Sequence, residues 1–298
     1  MAADRVITCT NKDGISMKFK ENDIAPFLLV KADGIYDHIN TVYTSENTMI
    51  DGSEYQGTHA KMRNIVLTLK DTGDGEHFAE DRNLLNQLFK SGESGVLKVS
   101  EAGMNERIID YYVEYFKSTG THTKRLHSIS LLCPDPFFYN PVDESVWMAT
   151  WVPSFEFPFE CPEGETFEFG YQSPVRIQNI YNEYAEDNIG LTIKITSSGA
   201  FSNPTITRVE SNSHITIGTA LKPLSVEVGD VLVITTGNGN KHVYLTHEGV
   251  TNEINQYLTE DSEFIQLMRG NNHIGYSADS GESYMTVQVS YRLKHARA

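Results

Sequence analysis

Cysteine, tryptophan and positive charge are scarce in this chain, and no long hydrophobic run occurs in it. Cys9, Cys133 and Cys161 are the three cysteines of 298 residues. They lie far apart and form no CxxC, so neither a disulfide framework nor a zinc site is expected. Lys and Arg number 24 against 40 Asp and Glu, a formal charge of −16 with a pI near 5.0. Proteins that grip nucleic acid neutralise phosphates with clustered Lys and Arg, so sequence-specific nucleic-acid binding is not expected. Near the N-terminus the longest apolar stretch is Phe27-Leu28-Leu29-Val30. It is too short for a secretion signal or a bilayer span, and no membrane partner is expected.

Catalytic signatures are also missing. The ten histidines are scattered, with no HExxH, no GxSxG and no glycine-rich phosphate loop. His122 and His127 flank Lys124 and Arg125 near a strand start, which reads as a solvated strand edge rather than a metal pair. Asp71, Asp74 and Glu76 lack the spacing of an EF-hand loop, and read as helix caps. Neither an enzyme nor a catalytic residue, cofactor or metal is expected.

What is present is a β-rich, aromatic-rich chain. Hydrophobic residues make up 39% and charged residues 21%, with 15 Tyr and 14 Phe, the profile of a folded protein. The length suits two domains of about 100–150 residues each. In the first, Arg63, Ile65, Leu67 and Leu69 alternate with polar residues, as do Ile109, Tyr111, Val113 and Tyr115, and both runs read as half-buried strands. Between them Phe78, Leu84, Leu85, Leu88 and Phe89 recur at helical spacing until Ser91-Gly92, predicting one amphipathic helix packed on a sheet. Tyr36 to Tyr55 is polar, and too long and too exposed in composition for a hairpin turn, so a working loop is expected there. The strand at Leu126 to Cys133 runs into Pro134, Pro136 and Pro141, each of which removes a backbone donor. The first domain is therefore assigned to residues 1–140.

Residues 141–190 carry ten acidic residues against one basic, Arg176. Phe and Glu alternate over 155–160 and again over 165–169, which predicts two short strands about a turn at Cys161–Gly164 in an acidic, aromatic connector belonging with the second domain. Among so many acids some pair is inevitable, so glycosidase chemistry is not inferred from them. From residue 191 to 298 the pattern is β throughout, including a hairpin at Gly237-Asn238-Gly239-Asn240. Strands at this spacing predict a sandwich or jelly roll.

The order of these elements, with the Pro134-Asp135-Pro136-Phe137-Phe138 exit, resembles the N-terminal module of siphophage distal tail proteins. The closing segment, Asp261 to Ile274 and then Tyr284 to Tyr291, resembles the last strands of the second module in phage tail proteins. The resemblance implies a mainly β fold: an N-terminal tail-tube-like β-sandwich with one flanking helix, plus a C-terminal galectin-like or jelly-roll sandwich. It further implies a structural virion protein of the tail tip or baseplate, assembled in the host bacterial cytoplasm. Such a protein forms a homohexameric ring that joins the tail tube protein to a tail-associated lysin or fibre hub and lets DNA pass, with a receptor-binding protein as a further partner. The interface residues so implied are Tyr36, Tyr43, Asp51 and Tyr55 in the extended segment, and Phe78, Leu85 and Phe89 on the helix. The alternative is a glycan-binding sandwich that docks on host cell-wall saccharide.

Overall fold

Alternate burial along successive strands builds both halves of the molecule. The computed structural model describes residues 5–21, 26–46, 51–72, 78–121, 124–153, 170–174, 176–182 and 188–298. In chain order the elements begin with β1 (Val6–Asn11), β2 (Ser16–Lys20), β3 (Phe27–Asp33), β4 (Asn40–Glu46), β5 (Ser53–Ala60), β6 (Arg63–Asp71), α1 (Phe78–Leu88), β7 (Ser94–Ser100), β8 (Arg107–Thr121), β9 (Lys124–Cys133) and β10 (Phe138–Tyr139). Next come β11 (Glu144–Trp147), β12 (Ala149–Pro153), β13 (Gly170–Pro174), β14 (Ile177–Asn182), β15 (Ile189–Ser197), β16 (Phe201–Arg208), β17 (Ser213–Thr216) and β18 (Ser225–Val226). The series ends with β19 (Val231–Gly237), β20 (Asn240–His247), β21 (Val250–Glu253), β22 (Gln266–Leu267), β23 (Gly270–Ser280), β24 (Met285–Tyr291) and β25 (Lys294–His295). One unit comprises Met1–Pro141 with Lys294–Ala298, the other Val142–Leu293.

In the first unit hydrogen bonds run β25-β10-β8-β7-β1-β2-β3-β6-β9, and β9 pairs again with β8. The predicted N-terminal sandwich is thus closed into a barrel along a β8–β9 seam. Closure is possible because β8 is 15 residues long. Its first part pairs with β7 and its remainder with β9, from Tyr112↔Leu132 to Thr121↔Lys124. A bulge between Val113 and Tyr115 bends the strand between these two roles. The bulge also corrects the expected row of inward residues. Ile109, Tyr111 and Val113 are buried, but beyond the bulge Phe116, not Tyr115, packs on the core.

The single α-helix among the described residues packs against β1 and β2. Leu85, Leu88 and Phe89 are buried, with the Phe89 ring 6.1 Å from Phe19 and 6.4 Å from Tyr111. Leu84 is exposed, because one residue along a helix is about 100° away from the buried face. Cys9 and Cys133 are free and buried, and burial raises both thiols. Cys161 and the strands expected over 155–169 lie outside the described residues, as do Asp74 and Glu76. β12 and β13, which flank that segment, pair antiparallel from Ala149↔Pro174 to Pro153↔Gly170.

The second unit is the expected sandwich. One sheet runs β11-β24-β15-β19-β20-β21 with β22 on β15, the other β14-β23-β16-β17 with β18 on β16. Ile193, Ile195, Ile234 and Val287 from the first sheet share a core with Ile206, Ile215 and Ile274 from the second. The β19–β20 hairpin reverses at Asn238-Gly239, where Gly239 supplies φ 74°.

The C-terminal strand returns to the first unit, where β25 pairs with β10. There His295 is 3.1 Å from Asn140 Oδ1, the same oxygen that accepts from Arg107 at 2.7 Å. Burial and the neighbouring Arg107 charge lower the His295 pKa from 6.5 to about 4. A depressed histidine stabilises the fold above its unfolded pKa, and that contribution is lost as pH falls from 6.5 towards 4. We expect the melting temperature of the wild type to fall more steeply over this window than that of His295→Gln, measured by thermal unfolding. Parallel curves would contradict the assignment.

Candidate functional site

The candidate site is the segment that leaves the barrel between β3 and β6. It is not the loop expected from its polarity. β4 and β5 pair with each other alone, from Asn40↔Ala60 to Glu46↔Ser53, as a two-stranded sheet. Gln56 is the extra residue of a bulge between Tyr43↔Gly57 and Thr44↔Tyr55. Polar composition misled because this hairpin buries neither face, so it shows no period-two hydrophobic signal.

Along this arm Tyr43 is 55% and Tyr55 64% exposed. The Tyr55 hydroxyl lies 2.6 Å from Thr58 Oγ1, and Gln56 Nε2 donates to Ser45 Oγ at 2.9 Å. Asp51 is exposed near the tip, beside residues 47–50, which lie outside the described set. Residues 36–60 contain Asp37, Glu46, Asp51 and Glu54 and no Lys or Arg. Tyr36, at the root, donates its hydroxyl to Glu101 Oε2 at 2.7 Å and lies under the Arg5 guanidinium, 5.7 Å from ring centre.

The structure therefore keeps Tyr36, Tyr43, Asp51 and Tyr55 on one element and separates them from the helix. Leu85 and Phe89, by contrast, are buried in the core beneath α1. Phe78 begins α1, and its side chain lies outside the described residues.

A buried cation anchors the arm. Arg63 sits in the apolar row of β6 and donates Nε to Pro136 O at 2.8 Å, and Nη1 to Gly34 O at 2.6 Å and Ile35 O at 3.0 Å. Its Nη2 donates to Ala296 O. Four carbonyl dipoles thus stand where a carboxylate would be expected, and burial lowers the Arg63 pKa. Beside it a cavity of about 130 Å³ is lined in part by Asp37, His38, Lys61 and Met62.

A second buried polar set closes the seam, and sequence reasoning missed it. His127 is buried, not solvated, and Asp71 is its partner rather than a helix cap. His127 Nε2 donates to Asp71 Oδ1 at 2.7 Å, while Nδ1 accepts from the Ser118 hydroxyl at 2.8 Å. Phe116 stacks on the imidazole at 5.4 Å and Phe27 meets it edge-on at 5.9 Å. With both sides of the ring occupied, the three residues tie β6, β8 and β9 together. No group of three or more His, Cys, Asp or Glu among the described residues could hold a metal.

The profile of the family described as siphovirus-type tail component, C-terminal domain, matches residues 185–295. Over 97% of its length the chain also superposes on 99% of the Dit (gp 19.1) protein of phage SPP1, described as a paradigm of hub adsorption apparatus in phages infecting Gram-positive bacteria. The TM-score is 0.63 and the identity 12%. Residues 185–295 thus match the tail-component family, and the fold of the chain as a whole is Dit-like. The Dit-like fold extends to the baseplate of phage P2 in its activated conformation with calcium, at TM-score 0.53, 10% identity and full coverage of both chains. The same baseplate with strontium matches at TM-score 0.52 and 10% identity, again over both whole chains. No curated protein matches the sequence. No helix among the described residues is long and apolar enough to cross a membrane.

Gly34 sets the direction in which the arm departs. Its φ is +83°, and a Cβ there would lie 2.0 Å from Asn64 O. Gly34→Ala is expected to cost roughly 2–4 kcal/mol through strain and collision, visible as a lowered melting temperature. An unchanged melting temperature would show that the arm root is not so constrained.

Proposed function

We propose that the chain forms a homohexameric ring at the tip of a long non-contractile tail. The ring joins the tail tube protein to a tail-associated lysin or fibre hub, and DNA passes through it. The second unit holds receptor-binding proteins, and assembly takes place in the host cytoplasm. The observation that carries this reading is the arm. A two-stranded hairpin exposed on both faces is marginal in water by itself, so its stability has to come from a neighbour. The barrel strands from which it departs, β3 and β6, are already paired with each other. The arm and its exposed tyrosines are then the chain's own means of reaching a second copy.

A head-to-tail contact of this kind closes into a ring when its rotation fits. The number six comes from the family resemblance. Charge is consistent with a passage for DNA, since a chain of net charge −16 repels phosphate within the roughly 8 Å that physiological salt leaves unscreened.

Light scattering followed by negative-stain imaging tests the proposal. The wild type is expected at about 200 kDa, six times the 33.5 kDa chain, with a central hole. The double variant Tyr43→Ala, Tyr55→Ala is expected to elute as a monomer with an unchanged circular dichroism spectrum. A ring unaffected by both substitutions would remove the arm from assembly. A wild-type monomer that binds wall polysaccharide would overturn the ring in favour of glycan docking.

A further inference from the structure

In a chain of net charge −16, residues 115–134 contain Lys117, Lys124 and Arg125 and no Asp or Glu. They form the second half of β8, the turn and β9, which is the seam of the barrel. Residues directly opposite in paired strands share a face, so the register shows what the seam presents to water. Lys70 lies opposite Leu126 and Leu126 opposite Thr119, while Thr68 lies opposite Ser128 and Ser128 opposite Lys117. The alternate positions Leu67, Leu69, His127 and Ile129 are buried inside the barrel. Both rows are therefore outside.

This outer face is apolar as well as basic. Lys70 and Lys117 are exposed, and Leu126 and Tyr112 are 42% and 50% exposed. The Lys117 ammonium stands over the Tyr115 ring, 4.4 Å from its centre, so cation and aromatic form one patch. Where β8 runs along β9 its one carboxylate is Glu114. Glu114 Oε2 accepts from the Ser130 hydroxyl at 2.7 Å and from Asn64 Nδ2 at 3.0 Å. β6 and β9 are paired along both edges, so a partner meets this face through side chains and not by adding a strand.

The arm has the complementary character. Its carboxylates Glu46, Asp51 and Glu54 are exposed, and residues 36–60 hold no Lys or Arg. Ser45 lies opposite Glu54 and Glu46 opposite Ser53, so Glu46 and Glu54 fall on opposite faces of the hairpin and either face brings a carboxylate. The lengths also agree. From Leu126 to Leu132, opposite Tyr112, the exposed patch extends about 20 Å along β9, close to the span of the seven residues of β4.

The two surfaces lie at opposite ends of β6. The arm ends at Ala60 and β6 begins at Arg63, whereas Lys70 is near the far end of that strand, roughly 20–25 Å away. A chain with a projecting acidic element at one end and a basic, apolar face at the other is built to associate head to tail.

We propose that the outer face of the β6-β9-β8 seam receives the acidic arm of a second copy of this chain. Lys70 and Lys117 meet the arm carboxylates, and the arm tyrosines pack on Leu126 and Tyr112. The proposal rests on the arm-mediated assembly proposed above and supplies the surface at the other end of that contact. Exposed ion pairs add little affinity but fix orientation and register, which closure of a ring requires.

Charge exchange tests it, read by light scattering over a concentration series at low salt. The seam variant Lys70→Glu, Lys117→Glu and the arm variant Glu46→Lys, Glu54→Lys are each expected to weaken self-association at least about tenfold. The chain with all four substitutions, and an equal mixture of the two double variants, are expected to recover it to within about threefold. Melting curves matching the wild type establish that the variants are folded. Carbodiimide treatment of mixed unlabelled and 15N-labelled wild type should join Glu46 or Glu54 of one copy to Lys70 or Lys117 of another. A folded seam variant that assembles like the wild type, or no recovery on exchange, would overturn this contact and leave arm-mediated assembly standing. Crosslinks confined within single copies would also overturn it. A wild type that stays monomeric and gives no crosslink between copies would overturn both.

Discussion

The pairing of β8 with β9 is the constraint on which the first unit depends. A strand of 15 residues serves two neighbours, and the bulge after Val113 lets it turn from one to the other. The turn converts an open sheet into a barrel, gives Leu85, Leu88 and Phe89 a closed core to plug, and brings Ser118 beside His127. It also pairs strand edges that would otherwise invite another chain. What remains unpaired with the barrel is the arm.

Two buried polar groups hold the barrel to this plan by different means. His127 is satisfied by Asp71 and Ser118 across three strands, so losing any partner strands a buried polar atom at a cost of about 1–3 kcal/mol. Arg63 is satisfied by carbonyls from the β3 exit, the proline turn and the C-terminal return. It therefore joins the root of the arm to the two points where the chain leaves and re-enters the unit. A cation without a carboxylate partner suits that task, because carbonyls from several segments can share its five fixed donors.

Much of this was legible in the sequence, and what was not has identifiable causes. Period-two alternation announced β6, β15, β16 and β19, because each buries one face. The helix was legible, but which leucine faced inward was not, since Leu84 and Leu85 differ by one step of rotation. The arm was recognised as extended and exposed yet read as a loop, for want of a buried face. The seam was invisible because closure depends on a bulge and on a strand serving two partners. Asp71 and His127 lie 56 residues apart, and no local pattern links them.

Hydrogen–deuterium exchange, compared between the assembled chain and a dilute monomer, tests most directly the claim that the barrel is closed and the arm is the assembling element. Amides of β8 and β9 are predicted to exchange slowly in both states, as paired core strands do. Those of β4 and β5 are predicted to exchange fast in the monomer and slowly on assembly. Fast exchange along β9, as in an open edge strand, or an arm equally protected in both states, would contradict the account.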